Sequence, residues 1–219
     1  MIPLKDHNPS SRFPFVTYAL IAINVAIFAY SFLALGTDAQ LIDFYEQYAL
    51  KPSEVTAGQE LSTLITSMFL HGGIAHLLGN MWFLYVFGDN LESRLGHLPY
   101  LLFYIVSGLA ATGLQVLTNV DSQIFNLGAS GAIAGVMGGY ILLYPKVKVD
   151  ALLALGFIFQ RIRIPAFVVL GLWFGYQVVS GLIDLGGPDV GGVAFWAHAG
   201  GFIAGVLLLL PLRILSEQR

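Results

Sequence analysis

Ser130, His198, His76 and Asn80 are the residues of this 219-residue chain whose types could together carry acyl transfer. A serine hydroxyl is a weak nucleophile until a base removes its proton, and a neutral imidazole within hydrogen-bond reach can do that. Ser130 lies in Gly128-Ala129-Ser130-Gly131, and His198 is followed by Gly201 and Gly205. No Asp or Glu stands where it obviously orients His198, so the expected arrangement is a Ser-His dyad rather than a triad. His76 and Asn80 are four residues apart, hence on one face of a helix, and both can donate hydrogen bonds toward one point. Donors so placed suit an oxyanion hole, where each can be worth about 3 kcal/mol in a dry site.

Each of these residues has a plainer reading. A lone serine in a membrane helix commonly bonds back to its own helix. His198 can satisfy an interhelical hydrogen bond, and His76 with Asn80 can form a polar cluster that holds helices together. Against this, an ionisable side chain within a span is costly and is by default a functional candidate. His71 falls five residues before His76, about 140° round a helix, and sits beside Gly72-Gly73, so a structural role is expected for it. Three imidazoles, His71, His76 and His198, could in principle hold a catalytic zinc. No carboxylate joins them, the two nearest do not share a face, and a metal leaves Gly-Ala-Ser-Gly unexplained. Neither metal nor cofactor is expected, and the cysteine count of zero removes disulfides and thiolate chemistry.

The elements that must position these residues are membrane helices. Hydrophobic residues make up 57% of the chain and charged ones 11%, with a mean hydropathy of +0.76, outside the soluble globular range. A span needs about 20 apolar residues, and apolar stretches run from Phe15 to Leu35, Ile74 to Phe87, Leu98 to Leu117, Leu127 to Tyr144, Ile164 to Leu185 and Ala194 to Leu215. An all-α membrane protein of six transmembrane helices is therefore expected, with a cytoplasmic segment at 1–14 and the six-span domain at 15–219. The second stretch is short and polar, as a helix facing protein or water would be. Positions 5 to 12 do not read as a cleaved signal, so the first stretch is taken as a retained span.

Of the ten basic residues, Lys5, Arg12, Arg94, Lys146, Lys148, Arg161, Arg163, Arg213 and Arg219 fall on one side of the spans and only Lys51 on the other. By the excess of Lys and Arg in cytoplasmic loops, both termini are expected in the cytoplasm. Spans two, four and six then enter from the outer face, which brings His76, Asn80, Ser130 and His198 to similar depth. Small residues at four-residue spacing allow helices to approach closely in lipid, and span four carries Gly135, Gly138 and Gly139 after Gly128-Ala129-Ser130-Gly131, as span six carries Gly201 and Gly205. The first outer segment, 36–70, is expected as short interfacial amphipathic helices. Ala151 to Phe159 is apolar but too short to span and reads as an interfacial turn. Gly186 to Gly192 reads as a mobile flap.

These residues resemble the rhomboid intramembrane proteases over almost the full chain. His71-Gly72-Gly73-Ile74-Ala75-His76-Leu77-Leu78-Gly79-Asn80 is similar to that family's His, His and Asn motif in its second span. Gly128-Ala129-Ser130-Gly131 is similar to its nucleophile motif, and Ala197-His198 with Gly201 and Gly205 to its last-span pattern. The resemblance implies that Ser130 attacks, that His198 is the base, and that His76, Asn80 and the Ser130 backbone amide stabilise the oxyanion. It also implies six spans, a fold-stabilising role for Glu92 and Arg94 in the charged turn that also holds Asp89, and a fifth span and last outer loop that act as gate and cap over a water-filled cavity. The sequence departs from the family at two places. Glu60-Leu61-Ser62-Thr63-Leu64 stands where many bacterial members have Trp-Arg, and Ala134 stands where some place an aromatic residue on the histidine.

The expected activity is intramembrane serine endopeptidase action on single-pass transmembrane protein substrates, in the lipid bilayer, with no nucleic-acid partner. The expected location is multi-pass in the plasma (inner) membrane of a prokaryote. A helical amide is bonded and shielded, so substrates with Gly, Pro or small residues near the cut are expected to open at lower cost. Two other classes are weighed. A non-proteolytic binder of transmembrane segments has no need of both Ser130 and His198. A small transporter explains intramembrane histidines through proton relay but calls for acidic residues within spans, where Asp184, at an end, is the sole candidate.

Overall fold

The structure, a computed structural model, describes residues 1–155, 158–185 and 191–217. Each of the six apolar stretches contains a helix. Helix α1 (Phe15–Leu33) is followed by three short helices, α2 (Asp38–Tyr48), α3 (Pro52–Thr56) and α4 (Thr63–Thr66), and a 3-10 turn at Ser67–Phe69. Then come α5 (Ile74–Leu95), α6 (His97–Thr118), α7 (Ser130–Leu143), α8 (Ala166–Asp184) and α9 (Phe195–Glu217). By length and composition four helices can cross a membrane: α1, α6, α8 and the part of α9 up to Ile214. Helix α7 is apolar but spans only 14 residues, or about 21 Å. Among the described residues, four of these six helices are thus long and apolar enough to cross a membrane.

Helix α1 begins after Pro14, which has no side-chain oxygen to cap it. Glu92, 1% exposed near the end of α5, supplies the missing acceptor. Its carboxylate takes the backbone N–H groups of Val16 and Thr17, each at 2.8 Å, and the Thr17 hydroxyl at 2.7 Å. Two of the four orphan donors of the first turn are satisfied, and a negative charge lies at the positive end of the helix. His97 Nδ1 approaches the same carboxylate at 2.6 Å. The fold-stabilising role expected of Glu92 thus takes a definite form: it fixes α1 to α5. Between α5 and α6 the chain turns at Gly96, whose φ of +86° favours a residue without Cβ.

Helix α7 is the centre of the molecule. Every residue from Gly131 to Tyr140 is buried, enclosed by α5, α6 and α9. The segment between α1 and α5 forms the short helices expected there and is tied inward. Leu50 and Asn126 exchange backbone hydrogen bonds at 3.0 and 2.7 Å, Tyr45 Oη donates to the His71 carbonyl at 3.2 Å, and Gly128 N–H donates to the Ser67 carbonyl at 2.9 Å. This stretch is therefore anchored without the Trp-Arg pair. Lys51, the one basic residue assigned to the outer side, pairs with Glu46 and with Glu54.

One expectation is corrected: the fold is not all-α. Strands β1 (Ile2–Asp6), β2 (Lys148–Leu155) and β3 (Ile158–Pro165) form an antiparallel sheet in the order β1-β2-β3. The stretch read as an interfacial turn falls largely within the paired strands β2 and β3. Arg161, Ile162, Arg163 and Ile164 alternate polar with apolar, a period of two that suits a strand. Reading only the apolar run to Phe159 hides that alternation. The sheet lies beyond the C-terminal end of α7, the end away from Ser130. Asp150, its side chain 1% exposed, accepts from Arg163 at 2.7 Å, from Arg161, and meets His7 Nε2 at 3.0 Å. The N-terminal segment is thereby held to the hairpin. Residues 186–190 of the expected flap lie outside the described residues.

Candidate active site

Ser130 is the first residue of α7 and follows Gly128, whose φ is +131°. Its place at the helix start leaves its own N–H without an intrahelical acceptor and directs the positive end of the helix toward whatever lies there. A Cβ at Gly128 would sit 2.8 Å from Cε1 and Nε2 of His76 and 3.6 Å from Nδ2 of Asn80. Glycine at this position thus serves both the backbone angle and the close approach of the His76 ring.

His198 sits in the first turn of α9, and backbone contact with α7 brings it to the serine's end. A Cβ at Gly201 would lie 1.9 Å from the Gly131 carbonyl oxygen, one at Gly205 1.9 Å from that of Gly135, and one at Gly138 2.1 Å from that of Phe202. No side chain fits between the helices at these points, so the small-residue faces read in the sequence are in contact. Gln115 of α6 accepts from Ala197 N–H at 3.2 Å and steadies the turn that carries the histidine.

Ser130, His198, His76 and Asn80 line one cavity of about 600 Å³, together with Trp173 and the Gly192–Ala194 segment. All four residues singled out in the sequence are therefore brought together. Asn80 is nearly buried, and its amide nitrogen donates to His71 Nε2 at 2.9 Å. His71 is 1% exposed and meets the His76 ring edge-on at a centroid distance of 5.1 Å. It is not among the residues that line the cavity. Among the described residues no cluster of three or more His, Cys, Asp or Glu has the geometry of a metal site.

Two neighbours of His198 were not singled out in the sequence. Trp173 of α8 lies with its ring centroid 5.6 Å from the imidazole, tilted by 38°. An aromatic neighbour thus comes from α8 rather than from position 134, where Ala134 is fully buried. Gln177, 4% exposed, places Oε1 2.8 Å from His198 Nδ1. Trp173 and Gln177 are four apart, on one face of α8. A signal was available for Gln177, the one amide side chain in that apolar helix.

A family model described as the Rhomboid domain matches residues 58–214. The chain is 40% identical to RHOMBOID-like protein 6, mitochondrial, of Arabidopsis thaliana over 42% of this chain and 30% of that protein. It is 29% identical to Rhomboid protease GluP of Bacillus subtilis over 90% of this chain and 36% of that protein. Against Rhomboid protein 1, mitochondrial, of Saccharomyces cerevisiae it is 29% identical over 88% of this chain and 51% of that protein. The chain spans about a third to a half of the length of these relatives. They come from a plant, a bacterium and a yeast, two of them with mitochondrial names, and so give no support to the expected prokaryotic plasma membrane.

Proposed function

This chain belongs to the rhomboid family and is an integral membrane protein, and from that premise we propose that it is an intramembrane serine endopeptidase. Its substrates are single-pass membrane proteins, cut in or near the transmembrane segment. The observation that carries the reading is the convergence of Ser130, His198, His76 and Asn80 on one cavity at the N-terminal ends of α5, α7 and α9. The distribution of basic residues supports six spans with both termini cytoplasmic, which puts the cavity toward the outer leaflet.

The chemistry follows from the groups present. His198 Nε2 takes the proton of the Ser130 hydroxyl as Oγ bonds to the substrate carbonyl carbon, and the carbonyl electron pair moves onto oxygen. That oxyanion lies within the field of the Ser130 N–H, His76 and Asn80. Collapse breaks the C–N bond, and the imidazolium gives its proton to the leaving amine. Water then attacks the acyl-Ser130 ester, with His198 again as base, and releases the acid and the free hydroxyl. Cavity width and local unwinding of the substrate helix favour small residues around the cut.

The test is cleavage of a model single-pass substrate in liposomes by wild type and by Ser130→Ala, read on a gel. Cleavage by the wild type alone is the expected result. Cleavage that survives Ser130→Ala overturns the serine mechanism, and no cleavage by either across several substrates favours a binder of transmembrane segments.

A further inference from the structure

Resting on the protease reading, we propose that Gln177 is a positioning residue: from α8 it holds His198 in the tautomer and orientation that the base requires. A neutral imidazole carries one N–H, and only its other nitrogen can accept a proton. Gln177 Oε1, which can only accept, lies 2.8 Å from His198 Nδ1. That contact calls for Nδ1–H and leaves Nε2 with its lone pair free to face the hydroxyl. Gln177 is thus a neutral counterpart to the third member of a triad, in a chain whose sequence offers no carboxylate at that place.

Three observations support more than incidental packing. Gln177 is 4% exposed on a helix whose other faces are largely open, with Leu172, Tyr176, Val179 and Ile183 all more than half exposed. A buried amide needs partners, and this one finds the imidazole. Trp173, one turn earlier on the same face, lies beside the ring and limits its rotation. Both contacts come from α8, so the base is held ready only while α8 is seated against α9. Movement of α8 away from α9 would withdraw the acceptor and the aromatic neighbour together.

The experiment compares wild type, Gln177→Leu and Gln177→Glu in the same liposome assay, with Ser130→Ala as the control for the protease reading. Gln177→Leu should lower kcat on the order of 10- to 100-fold, the usual size for loss of a residue that orients a reacting group, with KM nearly unchanged. Gln177→Glu keeps an acceptor at the same place and should restore most of kcat. Its negative charge also favours the imidazolium, so the acid limb of the pH–kcat/KM profile should move to higher pH. Among the described residues the ionisable side chains lining the cavity are His76 and His198, and His76 is common to all three proteins. Wild-type kcat and profile in Gln177→Leu would overturn the inference, as would equal loss in Leu and Glu variants with matched loss of melting temperature. Nitrogen NMR on histidine-labelled protein, with His198→Ala identifying the signal, reads the tautomer without any substrate. Nδ1–H in the wild type and a mixture in Gln177→Leu are expected; Nε2–H in the wild type overturns the inference even if no substrate is found. Failure of the protease reading is separate, and shows as cleavage that persists in Ser130→Ala.

Discussion

Asn80 has two amide protons, and one is committed to His71 Nε2 at 2.9 Å. The other is free to point into the cavity, and the bond to His71 fixes the rotation of the amide. Two consequences differ in size. Asn80→Ala removes an oxyanion donor and should lower kcat by roughly 10²- to 10³-fold while leaving residual turnover. His71→Ala leaves the donor in place but lets it turn, and should lower kcat by less. Steady-state rates on one model substrate decide between the roles, and wild-type rates in Asn80→Ala would remove Asn80 from the oxyanion site. Gly128 acts at the same scale through its backbone. Gly128→Ala forces a Cβ to within 2.8 Å of the His76 ring at a φ of +131°. It should cost activity out of proportion to melting temperature, because the ring, which lines the cavity, must shift to make room.

At the scale of elements, the catalytic arrangement depends on α7 and α9 touching through their backbones. Gly201→Ala and Gly205→Ala each place a methyl group 1.9 Å from a carbonyl oxygen of α7. The helices must separate, and the cost should be at least the roughly 1–3 kcal/mol of an overpacked core. Thermal unfolding in detergent should show it, together with lost cleavage although Ser130 and His198 are intact; unchanged unfolding and cleavage would mean that the helices need not touch. This packing was legible in the sequence because small residues at four-residue spacing have few other uses in a span. The site was legible for a related reason: intramembrane histidines and an isolated Gly-Ala-Ser-Gly stand out against apolar helices. Gln177 stands out as the one amide of α8 but was not read, since an amide in a span has many ordinary uses; Trp173 is one of four aromatic residues there, and only the fold shows which of them meets His198. Strand β1 was missed because it pairs with residues more than a hundred positions away, Ile2 with Leu152 and Lys5 with Asp150, whereas β2 and β3 pair with each other locally and were hidden by the apolar run. Local pattern carries little information about partners as distant as those of β1.

At the scale of the whole molecule, the cavity and the sheet occupy opposite ends of α7, so stability and catalysis can be perturbed separately. Asp6 receives the Tyr140 hydroxyl at 2.6 Å and the Asn90 amide at 2.9 Å, which joins β1 to α7 and α5. Asp150 joins His7, the residue that follows β1, to the hairpin, and Arg163, then Arg161, then His7 hold its carboxyl well below the usual carboxylate range. A depressed carboxyl stabilises the fold fully above its unfolded value, near about 4, and progressively less as pH falls from there toward the folded value. Backbone amides of β1 should therefore exchange faster, relative to their intrinsic rates, as pH drops from about 5 to 3 in the wild type. In Asp150→Asn they should exchange fast throughout that range. At neutral pH the same variant should melt at a lower temperature yet, well below that temperature, cleave with wild-type kcat and KM. Slow, pH-independent exchange in the wild type would show that the Asp150 network does not hold β1 in place. A changed KM in a fully folded Asp150→Asn protein would show instead that the sheet end of α7 communicates with the cavity, and the independence of the two ends would have to be given up.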